Sequence, residues 1–304
     1  MTAITPSYRG RFAPTPSGPL HLGSLFTALA SWLAARQVDG EWWLRIDDLD
    51  RPRCIPGAID TIQRQLEAHG LLWDGTLVRQ SEHEPEYLAA LQQLDSHGRL
   101  YRCVCTRATL AQSTLLGPDG AIYPGTCRDA PGSSLSAAAL RFRVTEGAVD
   151  WHDGVQGLLR RKTPQESGDF IVRRADGQLG YHLACALDEH RMGITEVLRG
   201  ADLIGSTAHQ LQLLSALGIA TPRYSHVPVL LAADGRKLSK QNGALALGTR
   251  PVEVAEQLRW CLTVMGLSPP DTLNGASASD LLRWALPRWQ RASLSGLTAL
   301  AALP

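Results

Sequence analysis

The sequence lacks three features that would mark a specialised class of protein. It has no apolar run near the roughly 20 residues that a membrane-spanning helix needs, and its first residues hold no apolar core of signal-peptide length. Its 30 Lys and Arg against 29 Asp and Glu leave a formal net charge of +1, so any nucleic-acid contact requires a local patch. Its 6 cysteines in 304 residues are too few for a disulfide scaffold. We therefore expect a cytoplasmic protein without a membrane segment. We also expect a monomer, although composition does not give the oligomeric state.

The first hundred residues alternate strand-like and helix-like segments, which favours parallel α/β packing. The predicted elements are a strand in YRGRFA (8–13), a helix over 24–36, a strand in EWWLRI (41–46), and amphipathic helices over 57–70 and 85–98. From about Cys103 a stretch rich in Gly, Pro, Ser and Thr predicts an insertion that something other than a large core holds together. Later segments predict strands in ALRFRV, FIVRR and RYSHVPVLLA, a helix ending near Gly218, and amphipathic helices around 252–266 and 278–292.

The stretch RFAPTPSGPLHLGS, residues 11–24, predicts a strand that turns through proline and glycine into a helix. Such a turn presents unpaired backbone N–H groups and the positive end of the helix dipole, which suits a phosphate. Gly18 and Gly23 allow close approach of a ligand, Ser24 can cap the helix, and His21 places a donor beside the site. Spacing alone fits equally well a plain strand-to-helix turn, in which the histidine forms hydrogen bonds only with neighbouring residues.

A second candidate lies far downstream, in GRKLSKQ, residues 235–241. Lys237 and Lys240 follow a strand and an Asp-Gly turn, and two lysines in this arrangement suit a polyphosphate leaving group. By itself the pattern is equally typical of a solvated surface turn.

The two stretches together resemble the paired HIGH and KMSKS signatures of class I aminoacyl-tRNA synthetases. GRFAPTPSGPLHLGS, LRIDDLDRPR, LVRQSE, VLRGADL and KLSKQNGA follow in matching order over residues 9–245 and resemble the glutamyl-tRNA synthetase family. Within it the chain is most similar to a short paralogue that lacks an anticodon-binding domain. The resemblance implies activation of L-glutamate by ATP and Mg²⁺, then transfer of glutamate to queuosine in the anticodon of tRNA(Asp).

The resemblance also implies an α/β fold, in which a Rossmann-type class I synthetase catalytic domain is split by a zinc-bearing insertion and followed by a small helical C-terminal region. The expected divisions are 1–102 and 166–240 for the two catalytic halves, 103–165 for the insertion, and 241–304 for the helical region.

Site residues are implied in the same way. The residues implied for glutamate are Arg11, Ala13, Asp47, Tyr181 and Arg199. The residues implied for ATP are Pro14, Thr15, Gly18, His21, Gly23 and Lys240, of which His21 and Lys240, with Lys237, have catalytic roles. These types fit the chemistry, because glutamate carries two carboxylates and one ammonium, and arginine grips a carboxylate with two parallel hydrogen bonds.

Asp47 is expected to take the ammonium group of glutamate. Many family members carry glutamate at this position, so the shorter side chain here implies a contact through water. The residues alone leave another interpretation open, in which Asp47, Asp48 and Asp50 form a solvated acidic turn that caps the helix at Pro56.

The insertion contains the pattern C-x-C-x17-Y-x3-C, formed by Cys103, Cys105, Tyr123 and Cys127. Three thiolates are enough to dominate a tetrahedral zinc site, although three cysteines can also simply be buried. The paralogue uses three cysteines and a tyrosine as ligands, which implies one structural Zn²⁺ per chain in place of the missing core. His97 remains open as a competing fourth ligand.

Three other functions remain open from the sequence. An ordinary glutamyl-tRNA synthetase would charge the 3′ end of tRNA, but the stretch after Lys240 is too short for its large anticodon-binding region. A small-metabolite nucleotidyltransferase would share the histidine turn and need neither the glutamate pocket nor the zinc insertion. A non-catalytic RNA-binding module that is stabilised by zinc would not need His21 or Lys240.

Overall fold

The computed structural model describes residues 8–111, 115–118, 120–129, 138–232, 234–238 and 245–301. Within these ranges, no helix is both long and apolar enough to cross a membrane.

A parallel sheet holds the N-terminal part of the chain. Strand β1 (Arg9–Phe12) pairs in parallel with β2 (Glu41–Ile46), and β2 pairs in parallel with the short β3 (Val78–Arg79). Helix α1 (Leu22–Arg36) connects β1 to β2 and buries an apolar face that includes Phe26. The predicted strand at 41–46 and the α/β arrangement are confirmed.

The next parallel pair lies beside β1. Strand β11 (Glu196–Gly200) pairs in parallel with β12 (Arg223–Val227), and helix α7 (Ile204–Leu217) connects them. The backbone N–H of Thr195 donates to the carbonyl of Arg9 at 3.0 Å, which brings the start of β11 against β1. Both parallel pairs therefore end at a shared edge, where ligands of open α/β sheets bind.

A hairpin from the predicted insertion extends this second sheet. Strands β8 (Ala148–Asp153) and β9 (Gly157–Lys162) are antiparallel, and Asp153 of β8 lies opposite Tyr224 of β12 in a parallel pairing. Part of the region 103–165 is thus continuous with the catalytic sheet.

A separate antiparallel sheet carries the cysteine pattern. Strand β7 (Ala139–Phe142) lies between β4 (Leu100–Cys103) and β10 (Phe170–Arg173), while β5 (Leu116–Gly117) and β6 (Gly120–Ala121) form a small hairpin. The strands predicted from ALRFRV and FIVRR are confirmed. The remaining helices before the C-terminal region are α2 (Ala58–Ala68), α3 (Glu84–Ser96), α4 (Arg107–Ala111), α5 (Thr163–Glu166) and α6 (Tyr181–Arg191).

The C-terminal region packs on the core of the first sheet. Helix α8 (Pro251–Val264) agrees with its prediction, but α9 (Ala278–Ala285) ends well before residue 292. Pro287 explains the difference, since proline has no backbone N–H and disfavours helical geometry in the residue before it. Strand β14 (Ala299–Ala301), which the sequence did not predict, pairs in parallel with β13 (Val229–Leu231).

Candidate active site and metal centre

The histidine turn follows β1 and leads directly into α1. His21 is the N-cap residue of this helix, and its Nδ1 accepts a hydrogen bond from the backbone N–H of Ser24 at 3.3 Å. The prediction that Ser24 caps the helix is therefore wrong, because the helix begins at Leu22. Since Nδ1 is an acceptor, the proton of the neutral ring lies on Nε2, which makes that atom a hydrogen-bond donor.

Two glycines in the turn have specific geometric roles. Gly18 has φ of 120°, a conformation that side chains rarely adopt. A Cβ on Gly23 would lie 3.1 Å from the ring of His21 and 3.5 Å from the carbonyl oxygen of Leu238. Gly23 therefore gives the imidazole room beside the downstream lysine segment.

An open cavity of about 570 Å³ lies over the ends of β1 and β11. It gathers most of the residues predicted for glutamate, ATP and catalysis, namely Arg11, Ala13, Pro14, Thr15, His21, Gly23, Tyr181, Arg199 and Lys237. Gly18 and Asp47 are not among the described residues that line it, and Lys240 lies outside the described residues. Segments far apart in the sequence thus form one site.

Lys237 also lines this cavity. Its Nζ lies 2.5 Å from a carboxylate oxygen of Asp202, which also lines the cavity. The predicted turn is present, since the N–H of Ala232 donates to the carbonyl of Arg236 at 2.8 Å, and Leu231 bridges to Lys237 beyond it. The turn therefore directs the lysine toward the site.

Arg199, on β11, is buried and held in one orientation. Its Nε donates to Nε2 of His226 at 3.1 Å and its Nη2 donates to the hydroxyl of Thr207 at 2.8 Å. Nδ1 of His226 lies 2.5 Å from a carboxylate oxygen of Asp153, and burial lowers the pKa of His226, so its neutral ring donates from Nδ1. Within the described residues Nη1 of Arg199 has no hydrogen-bond partner, which suits it to an anionic group of a ligand.

Beside Arg199, the hydroxyl of Tyr224 is a second buried polar atom that is available to a ligand. Its ring lies 5.3 Å from the guanidinium carbon of Arg199, and burial raises the pKa of Tyr224 to about 12, so the hydroxyl stays protonated. That buried hydroxyl likewise has no partner among the described residues.

Arg11 is fixed by a carboxylate that the sequence analysis missed. Its Nε lies 2.9 Å from each carboxylate oxygen of Glu189, which is 1% exposed and also lies 3.3 Å from Nη1 of Arg45. Burial alone would raise the pKa of Glu189, but the charges of Arg11 and Arg45 outweigh it and lower the pKa. Glu189 is therefore ionised and orients Arg11 at the cavity wall.

Asp47 is buried and contacts Arg45. A carboxylate oxygen of Asp47 accepts a hydrogen bond from Nε of Arg45 at 2.7 Å, and burial raises the pKa of Asp47. The alternative of a solvated acidic cap is not what the structure shows, because Asp47 is buried and Asp48 accepts hydrogen bonds from the N–H and hydroxyl of Ser81. The predicted contact of Asp47 with an ammonium group remains a prediction.

Gln65, another residue that the analysis missed, connects the histidine turn to the chain segment around Leu247. It is buried on α2, accepts from the N–H of Leu20 at 2.7 Å and donates to the carbonyl of Leu247 at 2.8 Å. A glutamine among the apolar positions of an amphipathic helix is a sequence signal for such a role.

The three cysteines of the insertion form a cluster. The sulfur atoms of Cys103, Cys105 and Cys127 all lie within 4.8 Å of one another, and the hydroxyl of Tyr123 lies 3.4 Å from the sulfur of Cys103 and 3.7 Å from that of Cys105. Ligands on a tetrahedral zinc ion with bonds of about 2.3 Å lie roughly 3.8 Å apart, so these four donors fit zinc.

The surroundings of the cluster favour a thiolate. Burial opposes ionisation of Cys103, but hydrogen bonds from Tyr123 and Arg141 outweigh it and lower the pKa of Cys103 to about 7. His97 instead ends α3 and lines a different cavity with Arg99, so the geometry favours Tyr123 as the fourth ligand.

Comparison with known proteins places the chain in a family. Residues 7–273 match the model of the catalytic domain of class I tRNA synthetases (E and Q). A similar solved structure is a glutamate tRNA ligase from Elizabethkingia meningosepticum in complex with its amino acid, with a TM-score of 0.78 and 24% identity, covering 98% of this chain and 67% of that one. That similarity shows the fold.

Relatives that resemble the chain over nearly its whole length narrow the family further. One from Thiobacillus denitrificans is 47% identical over 280 residues, covering 92% of each chain, and one from Chromobacterium violaceum is 48% identical over 282 residues, covering 93% of each. Both are named glutamyl-Q tRNA(Asp) synthetase. The chain thus belongs to the class I tRNA synthetases for E and Q, and within them to the glutamyl-Q tRNA(Asp) synthetase family.

Proposed function

We propose that this protein is a ligase that activates glutamate with ATP and transfers it to queuosine in the anticodon of tRNA(Asp), acting as a cytoplasmic monomer. The observation that carries the proposal is the single cavity that joins the histidine turn to two buried arginines and a lysine, in a chain whose similarity to the family extends over more than nine-tenths of its length.

The first step forms glutamyl-adenylate. The α-carboxylate oxygen of glutamate attacks the α-phosphorus of ATP, the bond to the bridging oxygen breaks, and pyrophosphate leaves with the electron pair. Nε2 of His21 and the N-terminus of α1 stabilise negative charge on the phosphate oxygens, while Lys237 and Lys240 bind the departing pyrophosphate. We infer that Mg²⁺ accompanies the triphosphate and screens its charge.

The arginines provide the selectivity for glutamate. Nη1 of Arg199 and the guanidinium of Arg11 supply the positive charge that two carboxylates need, and Tyr181 lines the same cavity. Ala13 leaves space beside Arg11, and Asp47 receives the ammonium group through water.

The second step transfers the glutamyl group. A cyclopentene hydroxyl of queuosine attacks the carbonyl carbon of the adenylate, an ester bond forms, and AMP leaves while the hydroxyl proton passes to solvent. The anticodon loop has to present an unstacked base for this reaction.

The four ligands Cys103, Cys105, Tyr123 and Cys127 hold a structural zinc ion in this proposal. Zinc supplies the folding free energy that a Gly- and Pro-rich segment cannot obtain from apolar burial. We also propose the division of the chain at residues 102, 165 and 240 given above.

The acceptor is tested by periodate oxidation of the terminal ribose of tRNA. Labelled glutamate should attach to periodate-treated tRNA(Asp) that contains queuosine and not to tRNA(Asp) from cells that cannot make queuosine. Attachment that requires an intact 3′ ribose and ignores queuosine would show an ordinary glutamyl-tRNA synthetase instead.

A further inference from the structure

Arg141 is a buried cation directly beside the cysteine cluster. It lies on β7, where its backbone pairs with Tyr101, two residues before Cys103 on β4. Its side chain is 5% exposed, and its guanidinium carbon lies 3.7 Å from the centre of the Tyr123 ring. A buried guanidinium therefore stacks on the aromatic ring of a candidate zinc ligand.

In the part of the chain that the structure describes, Arg141 forms no ion pair with Asp or Glu. Its Nη1 donates to the backbone carbonyl of Asp169 at 2.9 Å. Because burial of an unpaired charge is costly, the arrangement requires an anionic group at the cluster.

A zinc–thiolate centre supplies such a group. Three thiolates on a divalent cation leave one negative charge, which a single guanidinium balances. Stacking on the ring also fixes the direction in which the phenol oxygen of Tyr123 points, as outer partners of metal ligands commonly do.

We propose that Arg141 is a positioning residue of the metal centre, which orients Tyr123 toward zinc and balances the charge of the thiolates. The proposal rests on the zinc site described under the proposed function. It concerns the affinity and coordination of zinc and assigns Arg141 no part in glutamate transfer.

The test measures zinc affinity of the full-length protein by competition with a chromophoric chelator. Arg141→Met removes charge and stacking, whereas Arg141→Lys keeps the charge and loses the planar face. Arg143→Met is the matched control, because Arg143 is two residues along the same chain segment and stacks at 4.7 Å on Tyr101, which is not a ligand.

Arg141→Met should weaken zinc binding by about 10- to 100-fold, as loss of an outer partner typically does. Arg141→Lys should fall between it and the unchanged protein, while Arg143→Met should bind zinc as before. If Arg141→Met fails to fold, Arg141→Lys still tests the proposal. Unchanged zinc affinity in Arg141→Lys would show that stacking of the planar guanidinium on Tyr123 has no role. An equal loss of zinc affinity in Arg143→Met and Arg141→Met would show that the effect is general destabilisation of the fold and would overturn the proposal.

A double-mutant cycle with Tyr123→Phe tests the mechanism. If Arg141 acts partly through Tyr123, the combined variant should lose less affinity than the product of the two single losses. The visible spectrum of the Co²⁺-substituted protein should change in Arg141→Met in the direction that Tyr123→Phe changes it. Independent effects and an unaltered spectrum would contradict the proposal. Absence of zinc from the unchanged protein would instead refute the zinc site itself.

Discussion

Replacement of Glu189 by glutamine should disturb both stability and glutamate binding. The side chain is fully buried, and its two oxygens lie 2.9 Å from Nε of Arg11, with Arg45 at 3.3 Å. The amide keeps the shape but removes the charge that balances two guanidinium groups. Loss of one partner from a buried ion pair costs about 3–5 kcal/mol. At about 2.1 cal/mol/K of unfolding entropy per residue, a chain of 304 residues loses about 1.6 °C in melting temperature per kcal/mol, so we expect a decrease of about 5–8 °C.

The control for Glu189→Gln is Asp176→Asn. Asp176 forms an ion pair with Arg174 at 2.8 Å, but both side chains are largely exposed. Surface pairs contribute at most about 1 kcal/mol, so urea and thermal unfolding should change little in this variant. Glu189→Gln should also raise KM for glutamate in ATP–pyrophosphate exchange, because Arg11 loses its orienting partner, whereas Asp176→Asn should not.

The pH dependence of stability gives a further check on Glu189. Its pKa in the folded protein is lowered, so its stabilising contribution is fully present above the ordinary glutamate pKa of about 4.3 and is lost as pH falls through the folded value. The difference in free energy of unfolding between the unchanged protein and Glu189→Gln should therefore decrease as the pH is lowered. A Glu189→Gln protein that is equally stable and binds glutamate normally at pH 7 would refute this reasoning.

Three further perturbations test other parts of the site. His21→Ala should lower turnover in glutamate-dependent pyrophosphate exchange by about 100-fold, and only a modest loss would remove its assigned role. Asp153→Asn should raise KM for glutamate by about tenfold or more with a smaller change in kcat. Asp153 holds His226, and His226 in turn holds Arg199. A hydrogen bond to a charged group is worth about 1.5–3 kcal/mol, which corresponds to a change of this size. Metal analysis of the unchanged protein should give about one zinc per chain, and Cys105→Ala should lose this zinc and increase protease sensitivity over residues 100–130. A zinc-free protein with unaltered fold and activity would show that these cysteines are only packing residues.

The sequence predicted the elements whose determinants are local. Strand 41–46 and the helix before Gly218 follow from apolar runs and from glycine, which occupies a left-handed conformation at the end of α7. The residues gathered in the cavity were predicted by resemblance of ordered motifs. The helix cap was predicted wrongly because His21, although not among the preferred capping residues, accepts the hydrogen bond that serine usually accepts.

The missed residues depend on contacts between distant segments. Glu189 lies in LACALDEHR, where an acidic residue on a helix is more often solvated, and only the packing of α6 against β1 places it under Arg11. Asp153 belongs to the expected insertion, and its partner His226 lies 73 positions later in the sequence, on the neighbouring strand β12. No local pattern specifies that the hairpin containing Asp153 joins the parallel sheet.

The pairing of Arg11 with Glu189 has a consequence for folding of the chain during its synthesis on the ribosome. The two residues are separated by 178 positions, and at about 5–20 residues per second a ribosome needs from roughly 9 to 36 s to synthesise that length. For most of this interval β1 and its parallel partner β2 have been synthesised, whereas α6, which carries Glu189, and β11, which lies against the other side of β1, have not. The growing chain therefore carries an open sheet edge and an unpaired arginine, and we expect nascent-chain chaperones to bind it until β11 has left the exit tunnel.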